Sequence, residues 1–140
     1  MMHIRSFQSS DEAAVIALWQ ACGLTRPWND PHKDIARKLS VHPELFVIGL
    51  KDDQLIASAM FGYEGHRGWV NYLSVLPPHQ RKGHAKALMN WGEEALKARG
   101  CPKINLQIRS GNATVIAFYN SLGYGDDQVI GLGKRLIPDI

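Results

Sequence analysis

The 140 residues predict a mixed α/β fold, a sheet with helices on both of its faces. Three observations lead there. Two apolar runs, Leu45–Leu50 and Leu55–Gly62, flank the polar turn Lys51-Asp52-Asp53-Gln54 and read as an antiparallel hairpin. Apolar residues recur at three- and four-residue intervals around Val15–Cys22, Ala85–Leu96 and Val115–Leu122, which marks amphipathic helices. The second of these helices stands between two strand-like runs, Trp69–Val75 and Lys103–Arg109. A strand–helix–strand succession of this kind makes the two strands parallel neighbours in a right-handed crossover.

Taken in order, His3 to Phe7 predicts a short first strand, and Ser9-x-x-Glu12 has the spacing of a capping box. The helix that follows carries Val15, Ile16, Leu18, Trp19 and Cys22 on one face and stops at Gly23, a residue suited to a left-handed C-terminus. In the loop from Thr25 to Pro31, Trp28 either plugs the core edge, the reading preferred, or lines a pocket. Asp30-Pro31 suits an N-cap and first helical position, opening a short helix to about Leu39 with Ile35 and Leu39 inward. The hairpin then continues through the polar connection Tyr63–Gly68 into the strand at Trp69, making a three-stranded meander. Ala85, Leu88, Met89, Gly92, Ala95 and Leu96 form the stripe that the next helix lays on the sheet, closed by Arg99-Gly100. Val115, Ile116, Phe118, Tyr119 and Leu122 mark a last helix ended by Gly123. Val129 to Ile137 reads as a final strand.

Chain length fits one domain with a real core. Apolar residues make up 45% and charged residues 21%, with no repeat or low-complexity tract. The first residues lack the apolar core of a secretory signal, and no run approaches a membrane span. Cys22 and Cys101, far apart and without ligand companions, read as buried thiols of a reducing cytoplasm. The net charge of +3 is mild, and basic residues are dispersed except around Gln80 to Lys86. That argues for a local anion site over a nucleic-acid face.

That site centres on Val75 to Leu88. Pro77 and Pro78 end the strand, Gly83 and Ala85 leave room at a helix start, and Arg81, Lys82 and Lys86 stand beside amides that have no intrahelical partner. A phosphate fits such a turn, as does plain solvent.

Two blocks carry a family likeness. Val75-Leu76-Pro77 followed by Gln80-Arg81-Lys82-Gly83-His84-Ala85 resembles the acetyl-CoA loop Gln/Arg-x-x-Gly-x-Gly/Ala of the GCN5-related N-acetyltransferases. Asn112-Ala113-Thr114-Val115-Ile116-Ala117-Phe118-Tyr119-Asn120-Ser121-Leu122-Gly123-Tyr124 resembles their Asn-x-x-Ala-x-x-x-Tyr-x-x-x-Gly-Phe/Tyr block, with Val115 in the small-residue place. The two lie about thirty residues apart, on the expected elements. Gly62–Trp69 and Leu132–Leu136 further resemble a bacterial branch typified by the YpeA acetyltransferase. The resemblance implies a largely antiparallel sheet of six to seven strands with a central, splayed parallel pair, about four helices, and one N-acetyltransferase domain over residues 1–140.

It also implies roles. Amides of Arg81, Lys82, Gly83, His84, Ala85 and Lys86, with Gln80, hold the CoA pyrophosphate. Leu73, Ser74 and Val75 pair with the pantetheine arm beside a bulge near Leu73, and an N–H of Leu73 or Ser74 faces the oxyanion. Asn112 contacts the pantetheine, and Tyr119 is the general acid for the departing thiolate, against the plainer reading of a core tyrosine. In related alanine acetyltransferases a glutamate precedes the Asn block, whereas Gln107 stands there in this chain and cannot accept a proton. Glu64, or His66 through water, is then the candidate base, unless the amine arrives neutral; a solvated loop is the alternative for both. An α-amine with a pKa of ~8 needs ~3 kcal/mol less than a lysine amine at ~10.4, which favours an α-amine or another amine of low pKa. Trp28, Asn29, Glu64 and His66 are the candidate acceptor-side residues.

The implied co-substrate is acetyl-CoA, without metal, since no His, Cys or acidic set has zinc spacing. The implied acceptor is a small molecule or a protein N-terminus, and family habit suggests a homodimer. A non-catalytic CoA-binding sensor is the rival, hinted at by Gln107; a nucleic-acid-binding module lacks basic residues interleaved with aromatics.

Overall fold

The computed structural model describes residues 1–139. Strands β1 (His3–Ser6), β2 (Phe46–Lys51), β3 (Gln54–Tyr63), β4 (Gly68–Val75) and β5 (Ile104–Asn105) form one sheet in that order. Every pairing is antiparallel except β4 with β5, which is parallel. The hairpin turn places Asp52 and Asp53 at φ 51° and 62°, the two left-handed residues of a turn whose twist matches that of the strands.

Helices α1 (Glu12–Ala21) and α2 (Pro31–Leu39) cover one face; α3 (His84–Ala98) and α4 (Ala113–Ser121) cover the other. Strand alternation sorts the core accordingly. Phe46, Ile48 and Met60 pack with Trp19 and Ile35, while Val47, Ala59 and Phe61 pack with Leu88, Met89 and Leu96. Gly92 lets α3 approach closely, because a Cβ there would collide with the Phe61 ring.

Several expectations change. The expected final strand Val129–Ile137 does not form. Val129, Ile130, Leu132, Leu136 and Ile137 are all exposed, because the run that should offer them a neighbour is itself a strand only at Ile104–Asn105. Among the described residues the sheet therefore has five strands, one or two fewer than the resemblance implies. The cap of the first helix also lies one residue early. Asp11 accepts from the Gln8 amide (2.8 Å), since a two-pronged ion pair with Arg5 draws its carboxylate there. Leu39 is exposed whereas Ile35 is fully buried. Both cysteines are half-buried, with the Cys22 thiol on the Val75 carbonyl (3.2 Å). Trp28 is 50% exposed, which overturns the core plug in favour of a pocket wall.

Candidate active site

The site begins at an irregularity in β4. Met60 pairs with Asn71 and Ser58 with Ser74, so Ala59 alone faces Tyr72 and Leu73, and the extra residue is a bulge. Val70, Leu73 and Val75 consequently point to the same cluster although Val70 and Leu73 are three apart. Tyr72 is the inserted residue, at φ 55°, and points to the opposite face.

Buried polar groups hold the bulge. The Tyr72 ring stacks on Trp19 at 3.9 Å, and the Trp19 indole N–H donates to Ser58 Oγ (3.0 Å). Ser58 and Ser74 share a hydrogen bond (2.9 Å), and Ser74 Oγ donates to the Tyr72 carbonyl (3.2 Å). The Tyr72 hydroxyl donates to Asp34 (2.6 Å), and burial, reinforced by that carboxylate, raises its pKa well above the ordinary phenol value. Ser58 and Ser74 are buried hydroxyls with partners, as buried polar groups require.

Beyond the bulge the sheet opens. β5 pairs with β4 only at Gly68 and Trp69, so the following residues of β4, Leu73 to Val75 among them, have no neighbour strand on that side among the described residues. The chain then turns through Pro77–His79, with Gln80 Nε2 donating to the Val75 carbonyl (2.9 Å). Arg81 (φ 63°) and Gly83 (φ 87°) adopt left-handed conformations, and Gly83 is the N-cap of α3. The amides of the first helical turn, His84 to Lys86, have no intrahelical acceptor, and Arg81, Lys82 and Lys86 add full charge. His84 packs 6.4 Å from His79, and its pKa is lowered first by burial and then by Lys51, His79, the N-terminal amine and Lys82.

On the neighbouring unit Asn112 caps α4, its Oδ1 accepting from the Val115 amide (3.3 Å). Tyr119 is buried in the same cluster as Leu73 and Val75, edge-on to Phe118 and Tyr124, and burial lifts its hydroxyl to about 12. Its hydroxyl makes no hydrogen bond among the described residues. Leu73, Val75, Ala85 and Tyr119 thus share one cluster on the α3 face of the sheet, and the Gln80–Lys86 turn follows directly from Val75.

Trp28 and Gln107 line a groove of about 690 Å³ together with Arg37, Lys134 and Arg135. Asn29 Oδ1 accepts from Arg135 beside it. Arg37 links this groove to the bulge, pairing with Asp34 (3.3 Å), which in turn holds Tyr72. Arg37 also binds Asp139 (2.7 Å), a carboxylate that accepts from the Asp30 amide as well (2.7 Å). Glu64 and His66 stand apart, at the β3–β4 turn, seven residues of β4 from Val75 and so about 23 Å along the strand. Glu64 accepts from the amides of His66 (3.0 Å) and Arg67 (2.5 Å), closing its own turn. No three His, Cys, Asp or Glu side chains are grouped to hold a metal among the described residues.

Sequence reasoning missed Tyr72, Asp34, Ser58 and the Asp139 anchor. The one local signal was Ser58, a hydroxyl amid the apolar run Leu55–Phe61; the rest depends on contacts between distant segments.

A family model described as acetyltransferase (GNAT) family matches residues 11–124. An acetyltransferase of Yersinia enterocolitica is 49% identical over 138 residues, covering 99% of this chain and 98% of its own. The ribosomal-protein-S18-alanine N-acetyltransferase of Escherichia coli superposes with a TM-score of 0.73 at 25% identity, covering 88% of this chain and 77% of its own. The PaiA N-acetyltransferase of Thermoplasma acidophilum, solved in complex with coenzyme A, reaches 0.72 at 18% identity, with 94% of each chain covered. With the family model spanning most of its length and a relative at nearly half identity end to end, this chain belongs to the GNAT acetyltransferase family.

Proposed function

We propose that residues 1–140 are a single N-acetyltransferase domain of the cytoplasm that moves an acetyl group from acetyl-CoA to a primary amine on a small molecule or a protein N-terminus. The observation that carries this reading is the bulged, splayed β4 running directly into the Gln80–Gly83 turn and the exposed first-turn amides of α3. Left-handed Arg81 and Gly83 bend the chain into a turn at the start of α3, where a diphosphate would meet the first-turn amides and the charges of Arg81, Lys82 and Lys86 together. The free edge at Leu73–Val75 suits a ligand with amides of its own.

Acetyl-CoA supplies the activated acetyl group. An N–H of Leu73, which the bulge takes out of the ladder, or of Ser74 beside it, stabilises the oxyanion as the amine attacks the thioester carbon. Tyr119, protonated throughout the neutral range, donates its proton to the thiolate as the C–S bond breaks, and the proton shed by the attacking nitrogen passes through solvent to restore the phenol. No carboxylate lies beside Gln107 in the groove lining, and Glu64 accepts from the amides of its own turn, which favours an acceptor amine that arrives neutral over a base at Glu64 or, through water, at His66. This supports an acceptor of low amine pKa, such as an α-amine. The Escherichia coli neighbour, named for an alanine N-acetyltransferase activity, is in keeping with it.

The test follows free thiol while the protein is mixed with acetyl-CoA and a panel of amines, amino acids and peptide N-termini. Acceptor-dependent thiol release is the expected outcome. Thermal stabilisation by acetyl-CoA with no release on any acceptor would instead favour the CoA-binding sensor, for which Gln107 is the supporting residue.

A further inference from the structure

The groove on the acceptor side of the splay presents Trp28, Arg37, Gln107, Lys134 and Arg135, three cations and no acid. The acids behind it are already occupied. Asp139, its side chain only 1% exposed, binds Arg37 and the Asp30 amide; Asp34 binds Tyr72 and Arg37; Asp30 caps α2 on the amides of His32 and Lys33. Setting these three against Arg37, Lys134, Arg135 and the nearby Lys33 leaves one positive charge in excess. Lys134 carries it, since it forms no ion pair among the described residues. Arg135 is pre-positioned by bonds to Asn29 and to the Ile137 carbonyl (3.2 Å), so less ordering is needed when it meets a ligand. Trp28 offers a half-exposed indole on the same wall.

An open cationic groove with one aromatic wall selects a particular kind of acceptor. We propose that the groove binds a small amine that also bears a carboxylate, an amino-acid-sized acceptor. Its carboxylate lies on Lys134 and Arg135, and its apolar part lies against Trp28. This rests on the acetyl transfer proposed above. Arg135, whose terminal nitrogens already donate to Ile137 and Asn29 and which stands 4.0 Å from Asp139, offers its remaining N–H donors to the carboxylate, and Lys134 adds a point charge. A polyamine, cationic at both ends, meets repulsion in the same place.

The experiment separates the groove from the chemistry. Protein saturated with CoA is titrated calorimetrically with N-acetylglycine, N-acetyl-leucine and N-acetyl-phenylalanine, and with the corresponding N-acetyl amides, which lack the charge. At least one acid is expected to bind tenfold or more tightly than its amide, and the Lys134→Ala/Arg135→Gln double variant is expected to erase the difference while CoA affinity stays within twofold. Acids that bind no better than amides overturn the proposal, as does a preference that survives in the double variant. In the thiol assay the free amino acids should exceed their amides by a similar factor in kcat/KM, and spermidine should be a poor acceptor. Faster turnover of amides, of spermidine or of acidic peptide N-termini overturns it while leaving acetyl transfer intact. Acid-selective binding without any turnover would instead retain the groove and remove the proposed reaction.

Discussion

Two tyrosines divide the work around the splay. Tyr72 is raised by burial and by Asp34, and its hydroxyl is already donated, so it serves as a strut. Tyr119 is raised to about 12 by burial and its hydroxyl has no partner among the described residues, which suits the proton donor proposed above. Replacing Tyr119 by Phe should lower kcat by about 10²-fold while the KM for acetyl-CoA changes little; steady-state kinetics yielding equal kcat for both proteins would remove the assignment. Asp139 poses a question of pH. Its carboxyl is held down to about 2 from 3.8, chiefly by Arg37 and then by the Asp30 amide. A depressed pKa means that folding favours the ionised form, so this contribution is complete above about pH 4 and fades as pH falls through 2. Asp139→Asn should therefore melt below the parent at pH 6, with the gap narrowing between pH 4 and 2; a gap that holds constant would show that the charge is not what matters.

At the level of elements, helix α3 and strand β3 meet through Gly92 and Phe61. A methyl group at position 92 would gain ~1 kcal/mol of helix propensity, but it would press on a ring with no exposure, and overpacking costs ~1–3 kcal/mol. The collision should win, because both the helix and the ring are wedged within the core. Gly92→Ala is expected to lower the unfolding free energy by a net ~1 kcal/mol, read as a lower urea midpoint with an unchanged denaturant slope; an unaltered midpoint would mean that α3 has room to shift outward.

Across the whole molecule, the Arg37–Asp34–Tyr72 contacts join the groove at Trp28 to the bulge of β4, the two places proposed above for acceptor and donor. A ligand that fills the splay ties α3, β4 and α4 together. Acetyl-CoA at about 100 times its dissociation constant should then stabilise the fold by ~2.7 kcal/mol, a rise of roughly 8 °C in Tm for a domain of this size. The shift should shrink in Arg81→Ala/Lys82→Ala, read by differential scanning fluorimetry. Absence of any shift in the parent would remove the donor site.

The chain's own pattern determined what depends on neighbours close in sequence. Periods of two and near four placed four helices and most of the strands, Asp30-Pro31 and Gly23 marked helix ends, and the Gln80–Ala85 turn with the Asn112–Tyr124 block identified the family. Local chemistry is sufficient there because caps, turns and amphipathic faces arise within a few residues. What only the tertiary structure decided lies between distant segments. The run Val129–Ile137 has the composition of a strand, yet no partner edge reaches it. Asp139 is fastened to a helix more than a hundred residues away, which puts Lys134 and Arg135 beside Trp28. A strand needs a neighbour and a charge needs a counter-charge, and neither can be read from a segment that does not itself contain them.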